Sequence, residues 1–244
     1  MKKLLTLVAA LALAGSAFAL DFAVGARGNF NMALGTTYGD EMKDLVDSLK
    51  DSGSSVTYPL VVGGGFGVWG HVGFLDFSNL TLGATLEFGM NFNNGKAFKM
   101  DAEGSTIKTV CYAHAIDIPL MITLKVPVGK TVKFDFGLGP NFSIPFGAAV
   151  KSAVGASEVS IKLKDGEGVD KVVYNMNIGL VFDADVGFKV GPGYVLVDLR
   201  YLLDFTPTTA KVTYSIGSGV NSTEKGELFY RRSLNIGVGY EFCF

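Results

Sequence analysis

The segment LNIGVGYEFCF, Leu234 to Phe244, decides how the chain folds. Leu234, Ile236, Val238, Tyr240, Phe242 and Phe244 are apolar or aromatic. Asn235, Gly237, Gly239, Glu241 and Cys243 stand between them. A period of two puts the sets on opposite faces of an extended strand. One face is greasy and bulky; the other is small or polar.

The same alternation recurs upstream. Leu80, Leu82, Ala84, Leu86, Phe88, Met90 and Phe92 alternate with Thr81, Gly83, Thr85, Glu87, Gly89 and Asn91. Ile178, Leu180, Phe182, Ala184 and Val186 alternate with Gly179, Val181, Asp183 and Asp185. The pattern predicts eight strands, at 21–33, 58–75, 79–93, 110–127, 131–146, 172–190, 193–206 and 228–244. Each exceeds the roughly 9–11 residues that a tilted strand needs to cross a bilayer. Strands of soluble proteins average about 5–6.

The connections alternate too. Short links fall at 76–78, 128–130 and 191–193, and long ones at 34–57, 94–109, 147–171 and 207–227. Membrane barrels have an even strand count, short periplasmic turns and long extracellular loops. Both termini are then expected in the periplasm. In the first long loop, Met42, Leu45, Val46 and Leu49 have helical spacing, with Asp40 placed to cap a short amphipathic helix. That helix would pack over the barrel mouth or meet a ligand.

The first residues set the compartment. Lys2 and Lys3 precede an apolar run from Leu4 to Leu13 and the small-x-small ending Ala17-Phe18-Ala19. This is the order of a secretory signal peptide, predicted over 1–19, with the barrel domain over 20–244. Composition agrees. Charged residues make up 18%, below the usual share of about 25%. Glycine, at 32 of 244, is near twice its usual frequency of about 7%. After the signal no run of about 18 apolar residues offers a spanning helix. In lipid only helices and closed barrels satisfy every backbone group. Near-neutral charge gives no sign of a nucleic-acid partner.

An interior of eight strands is only wide enough for side chains to fill. Small and charged residues therefore face inward, and the greasy face meets lipid. Arg27, Glu87, Asp117, Asp183, Asp185, Asp198 and Arg200 are expected to form a lumen charge network that plugs the barrel, since buried charges must be paired, or else to line a narrow polar conduit for water or ions. Lys125, Lys133, Asp135 and Glu241 share that face. A hairpin turning at Gly191 sets Asp183 opposite Arg200. Aromatic residues near strand ends, among them Phe22, Phe92, Phe146, Tyr174, Phe188, Tyr194 and Phe205, are expected in two interfacial girdles.

Motifs with chemical associations are few. Gly65-Phe66-Gly67-Val68-Trp69-Gly70 matches a nucleotide-binding pattern but falls inside a strand, without the strand-to-helix turn that site needs. His71 and His114 are expected near opposite ends of the barrel, too far apart to share a site. Cys111 and Cys243 are expected at opposite ends and unpaired, since a disulfide needs Cα atoms within about 7 Å. No catalytic residue, cofactor or metal is expected.

In its strand pattern, and in Tyr240, Phe242 and Phe244, the chain resembles the small bacterial outer-membrane barrels typified by OmpA, OmpX and OmpW. Ile116-Asp117-Ile118-Pro119-Leu120 and Gly137-Leu138-Gly139-Pro140 are also similar to porin-like barrel domains. The resemblance implies that Tyr240, Phe242 and Phe244 form an assembly signal read by the barrel-assembly machinery. It implies either a narrow passive channel for small solutes or hydrophobic molecules, or a structural or adhesin-like protein binding an extracellular ligand through its loops.

Overall fold

The computed structural model describes residues 21–51, 54–77, 79–102, 105–154, 157–163, 171–215 and 221–244. The expected signal peptide lies outside the described residues. In chain order the elements begin with β1 (Phe22–Met32), β2 (Thr37–Tyr38), α1 (Asp40–Asp51) and β3 (Ser55–Thr57). Then come β4 (Val62–Phe77), β5 (Leu80–Ala102), β6 (Ser105–Val128), β7 (Val132–Val154), β8 (Ser157–Leu163) and β9 (Lys171–Tyr174). Last are β10 (Asn177–Val190), β11 (Gly193–Asp204), β12 (Thr208–Ser215), β13 (Asn221–Tyr230) and β14 (Arg232–Cys243).

Eight of these strands close into one antiparallel ring in the order β1, β4, β5, β6, β7, β10, β11, β14. The pairing of β1 with β14 completes the circle. One end, the base, carries Asp21, Phe244 and the tight turns. There Gly129 and Gly191 take φ of 69° and 61°, a left-handed conformation that glycine adopts without steric cost. The other end carries a tall crown.

The crown is where the sequence expectation needs correcting. Among the described residues, the segments 94–109, 147–171 and 207–227 are largely paired strands, not loops. β5, β6 and β7 run to 23, 24 and 23 residues, about twice what a bilayer crossing takes. β5 and β6 stay paired up to Ala102 and Ser105, with one slip between Asn91 and Asn94. β8 folds back on β7, and β2, β13, β12 and β9 form a second sheet. Period two requires one face against lipid and one against the lumen. Above the bilayer that contrast is gone, so the strands continue while the pattern stops. The helix forms as expected, but its first hydrogen bond runs from the Lys43 N–H to the Gly39 carbonyl at 2.9 Å. Gly39, not Asp40, is therefore the cap. Tyr38, Val46 and Phe98 bury together, with Val56 beside them, and seat α1 on the crown.

The outward face is apolar. Phe66, Phe88, Ile122, Leu138, Leu199 and Val238 are all exposed, Val238 by 60%. A soluble monomer rarely exposes so continuous an apolar surface; a bilayer covers it. Three residues expected in the girdles sit elsewhere. Phe22 is buried against Phe244, ring centres 5.6 Å apart. Tyr194 turns into the base mouth, 4.9 Å from the Lys133 ammonium. Tyr174 packs on the crown interior. Each lies at or next to the end of its strand, where alternation stops dictating direction.

Inward glycines are what let the ring close. A Cβ at Gly25 would overlap the Trp69 ring. One at Gly237 would overlap the Asp198 carboxylate. Gly25→Leu is expected to cost about 3 kcal/mol or more, at the upper end of overpacking. Gly70→Ala, whose Cβ meets nothing within 4 Å, is expected to be near neutral. Guanidinium unfolding of the two refolded proteins checks the contrast.

Candidate functional site

The lumen is filled by charged layers. At mid-height Arg27 pairs with Glu87 and reaches Asp198 at 3.2 Å and Asp183 at 3.6 Å. Arg200 donates to both Glu87 oxygens, at 2.9 and 3.0 Å, and to both Asp183 oxygens, at 3.0 and 2.9 Å. Asp183 and Arg200 are direct cross-strand neighbours, as the turn at Gly191 dictates. The Arg27 guanidinium also lies 5.3 Å from the Trp69 ring centre, a cation–π distance. Five of the sequence-selected residues thus meet in one layer. Asp185 lies at the same level, between Asp198 on β11 and Asp135 on β7. Its Oδ1 is buried without a hydrogen-bond partner.

Nearer the base, Glu241 takes Lys125 at 3.2 Å and Lys133 at 2.5 Å, and Lys133 also meets Asp135 at 2.6 Å. His71 Nδ1 is 3.0 Å from the Thr85 hydroxyl, which is 2.8 Å from that of Thr123. Nearer the crown, Asp117 leaves the mid-height layer and pairs with Arg231 at 2.8 Å, while Asp204 takes the same guanidinium at 3.0 Å. Asn91 and Asn141 donate to Asp117 at 2.6 and 3.1 Å. Sequence reasoning did not find Arg231. Counting back by two from Asn235 and Ser233 puts it on the inward face, but it falls between β13 and β14, where the expected strand is interrupted.

Above Arg231 the contents turn apolar. Cys111, Ala113, Ala148, Leu228 and Phe229 bury together, and the Tyr174 hydroxyl accepts the Ala148 N–H at 3.0 Å. Between the mid-height and base layers lies a cavity of about 20 Å³, lined by Arg27, Glu87, Lys125, Asp135, Asp183 and Asp185. It has room for about one water. At the base mouth a wider hollow of about 210 Å³ opens beside Lys133, Lys189 and Tyr194.

The remaining motif residues sort by position. His71 is in the base layer. His114 is at the crown rim, its ring 5.7 Å from Phe92, 5.5 Å from Tyr112 and 5.9 Å from Phe146, with the Asn93 N–H on its Nδ1 at 3.2 Å. Burial pushes the His114 pKa down. Gly65 to Gly70 lie within β4, paired on both sides, with no helix after them. Cys111 and Cys243 are free thiols at opposite ends, and burial pushes Cys111 up to about 11.

Residues 15–210 match the outer membrane protein beta-barrel domain family. No curated protein matches the chain. Among solved structures it is similar to the outer membrane protein OprG from Pseudomonas aeruginosa, at 14% identity and a TM-score of 0.46, over 91% of this chain and 96% of that one. It is similar to a major outer membrane protein from Thermus thermophilus, at 13% identity and a TM-score of 0.44, over 92% and 99%. It is similar to Neisserial surface protein A, at 13% identity and a TM-score of 0.41, over 91% and 97%.

The layers and the thiol can be tested directly. Arg231→Gln leaves Asp117 and Asp204 buried without their cation and is expected to cost about 3–5 kcal/mol in guanidinium unfolding. Cys111 is expected to stay unlabelled by a maleimide at pH 7 in the folded protein and to react after unfolding, read by peptide mass mapping. With a closed ring of eight strands, a lipid-facing belt and a family match over most of its length, the chain belongs to the outer membrane protein beta-barrel domain family of bacterial outer-membrane proteins.

Proposed function

We propose that this protein is a closed outer-membrane barrel whose working part is the crown, presented outside the cell to bind an extracellular ligand. The observation that carries this reading is the filled lumen. The Arg27, Glu87, Arg200 and Asp183 layer crosses the barrel at mid-height, and the cluster around Phe229 fills the space above. A passive conduit for small solutes would require that layer to part, and parting it exposes buried charges that have no other partners. The crown, by contrast, is built. Its hairpins are hydrogen-bonded, its interior is apolar, and a helix is packed on its flank.

On this reading the short turns face the periplasm and the tall hairpins face outward, the usual arrangement of outer-membrane barrels. Phe244 closes the last strand against the first, its N–H on the Phe22 carbonyl at 2.9 Å. Tyr240, Phe242 and Phe244 serve on this reading as the assembly signal, with the barrel-assembly machinery as partner. We assign no catalytic role. Among the described residues His114 has no carboxylate at ion-pair distance, and His71 sits in the base layer.

Planar-bilayer recording of the refolded protein tests the central claim. The expected trace is flat. Reproducible discrete openings, altered by Arg200→Gln, would sink the closed-barrel reading in favour of a channel. Deleting Phe244 is expected to lower the amount assembled in the outer membrane several-fold, read by fractionation; an unchanged amount removes the assembly role.

A further inference from the structure

The flank of the crown holds a pocket that the closed lumen does not explain. A hollow of about 220 Å³ lies between α1, Tyr38, Tyr58 and Lys96. Lys43, Val46, Asp47 and Lys50 line it from one face of the helix, as spacings of three and four require. The Lys96 ammonium lies 4.7 Å from the Tyr58 ring centre and 5.8 Å from that of Tyr38. The Lys50 ammonium lies 5.5 Å from the Tyr58 ring.

The charges do not balance. Lys50 meets Asp47 at 3.2 Å. Among the described residues no carboxylate lies at ion-pair distance from Lys43 or Lys96. Lys96 is partly buried, and that burial pushes its pKa down. The second observation is independent of charge. The rings of Tyr38, 8% exposed, and Tyr58 wall the hollow and flank the Lys96 ammonium. An anionic group in the hollow neutralises the unpaired ammonium groups.

Size and shape narrow the ligand. The hollow is smaller than the roughly 300–1,000 Å³ of sites for drug-sized molecules. Val46 and the two tyrosine rings give it an apolar wall on which the C–H face of a sugar can rest. We infer that this pocket binds a phosphate or sulfate ester carried on a saccharide. Lys43 and Lys96 supply the unpaired charge, and the Tyr38 and Tyr58 rings supply the wall. The inference rests on the crown being the working part of the protein, and it names the chemistry of the partner.

The same ester can come from a phosphorylated glycolipid headgroup of the membrane or from a sulfated polysaccharide outside it. Titration calorimetry of the full refolded protein in detergent, with no need for a defined orientation or a closed lumen, separates this site from the conductance question. The probes are a sulfated hexasaccharide, a diphosphorylated glucosamine disaccharide, and the unsubstituted form of each. Binding is expected for at least one charged probe and for neither neutral form, weakening with added salt. Whichever charged probe binds more tightly identifies the source. Lys96→Gln is expected to weaken that binding by about ten-fold, the scale of one charge-assisted hydrogen bond. Lys43→Gln removes the second unpaired charge and is expected to weaken it several-fold at unchanged unfolding midpoint. Lys99→Gln, which breaks the crown pair with Asp101, is the control and is expected to bind as the parent does. Failure of both charged probes to bind, or equal losses in Lys96→Gln and Lys99→Gln, overturns the assignment.

Discussion

The structure depends on one carboxylate. Glu87 projects into the centre of the barrel and is held by two guanidinium groups, Arg27 from β1 and Arg200 from β11. These residues come from strands far apart in sequence, and the carboxylate ties three staves of the ring to one point. Arg200 then passes the connection to Asp183 on β10. A narrow barrel cannot hydrate such groups freely, so each must find its partner in the protein. Pairing of this kind adds little net stability compared with an apolar filling. It does restrict the alternatives, because any slip of one strand by one residue would turn its charges toward lipid.

The layers above and below Glu87 follow the same logic. Glu241 serves Lys125 and Lys133; Arg231 serves Asp117 and Asp204. Glycines on facing strands make the room, as Gly25 does for Trp69 and Gly237 for Asp198. High glycine content and low charge content thus have one cause. The interior is too narrow for large residues on every strand, so each long side chain needs a neighbour without one.

The sequence revealed the ring and about half of the interior. The alternation at 234–244 and 80–92 is unambiguous because one face meets lipid and the other does not, and the tight turn at Gly191 fixes its own register, which places Asp183 beside Arg200. The convergence of Arg27 and Glu87 on that pair was not legible, since nothing local sets the heights of strands joined by long connections. Arg231 was hidden because it falls between two strands. The crown was hidden more completely. Its strands at 94–102 and 105–109 have water or other crown elements on both sides, so they carry no period-two signature. The pocket between α1 and Lys96 joins residues from three separated segments, and no spacing in the chain announces it.

Ring closure also has an order in time. Glu241 lies near the end of β14, the last strand of the ring, and that strand must meet β1, the first. Until it does, Lys125 and Lys133 lack the carboxylate they share, and Lys133 keeps only Asp135. A ring without β14 therefore lacks one of the carboxylates that hold these ammonium groups and has an unpaired strand edge, and both disfavour entry into lipid. The position of one glutamate makes the eighth strand of the ring a condition for leaving water.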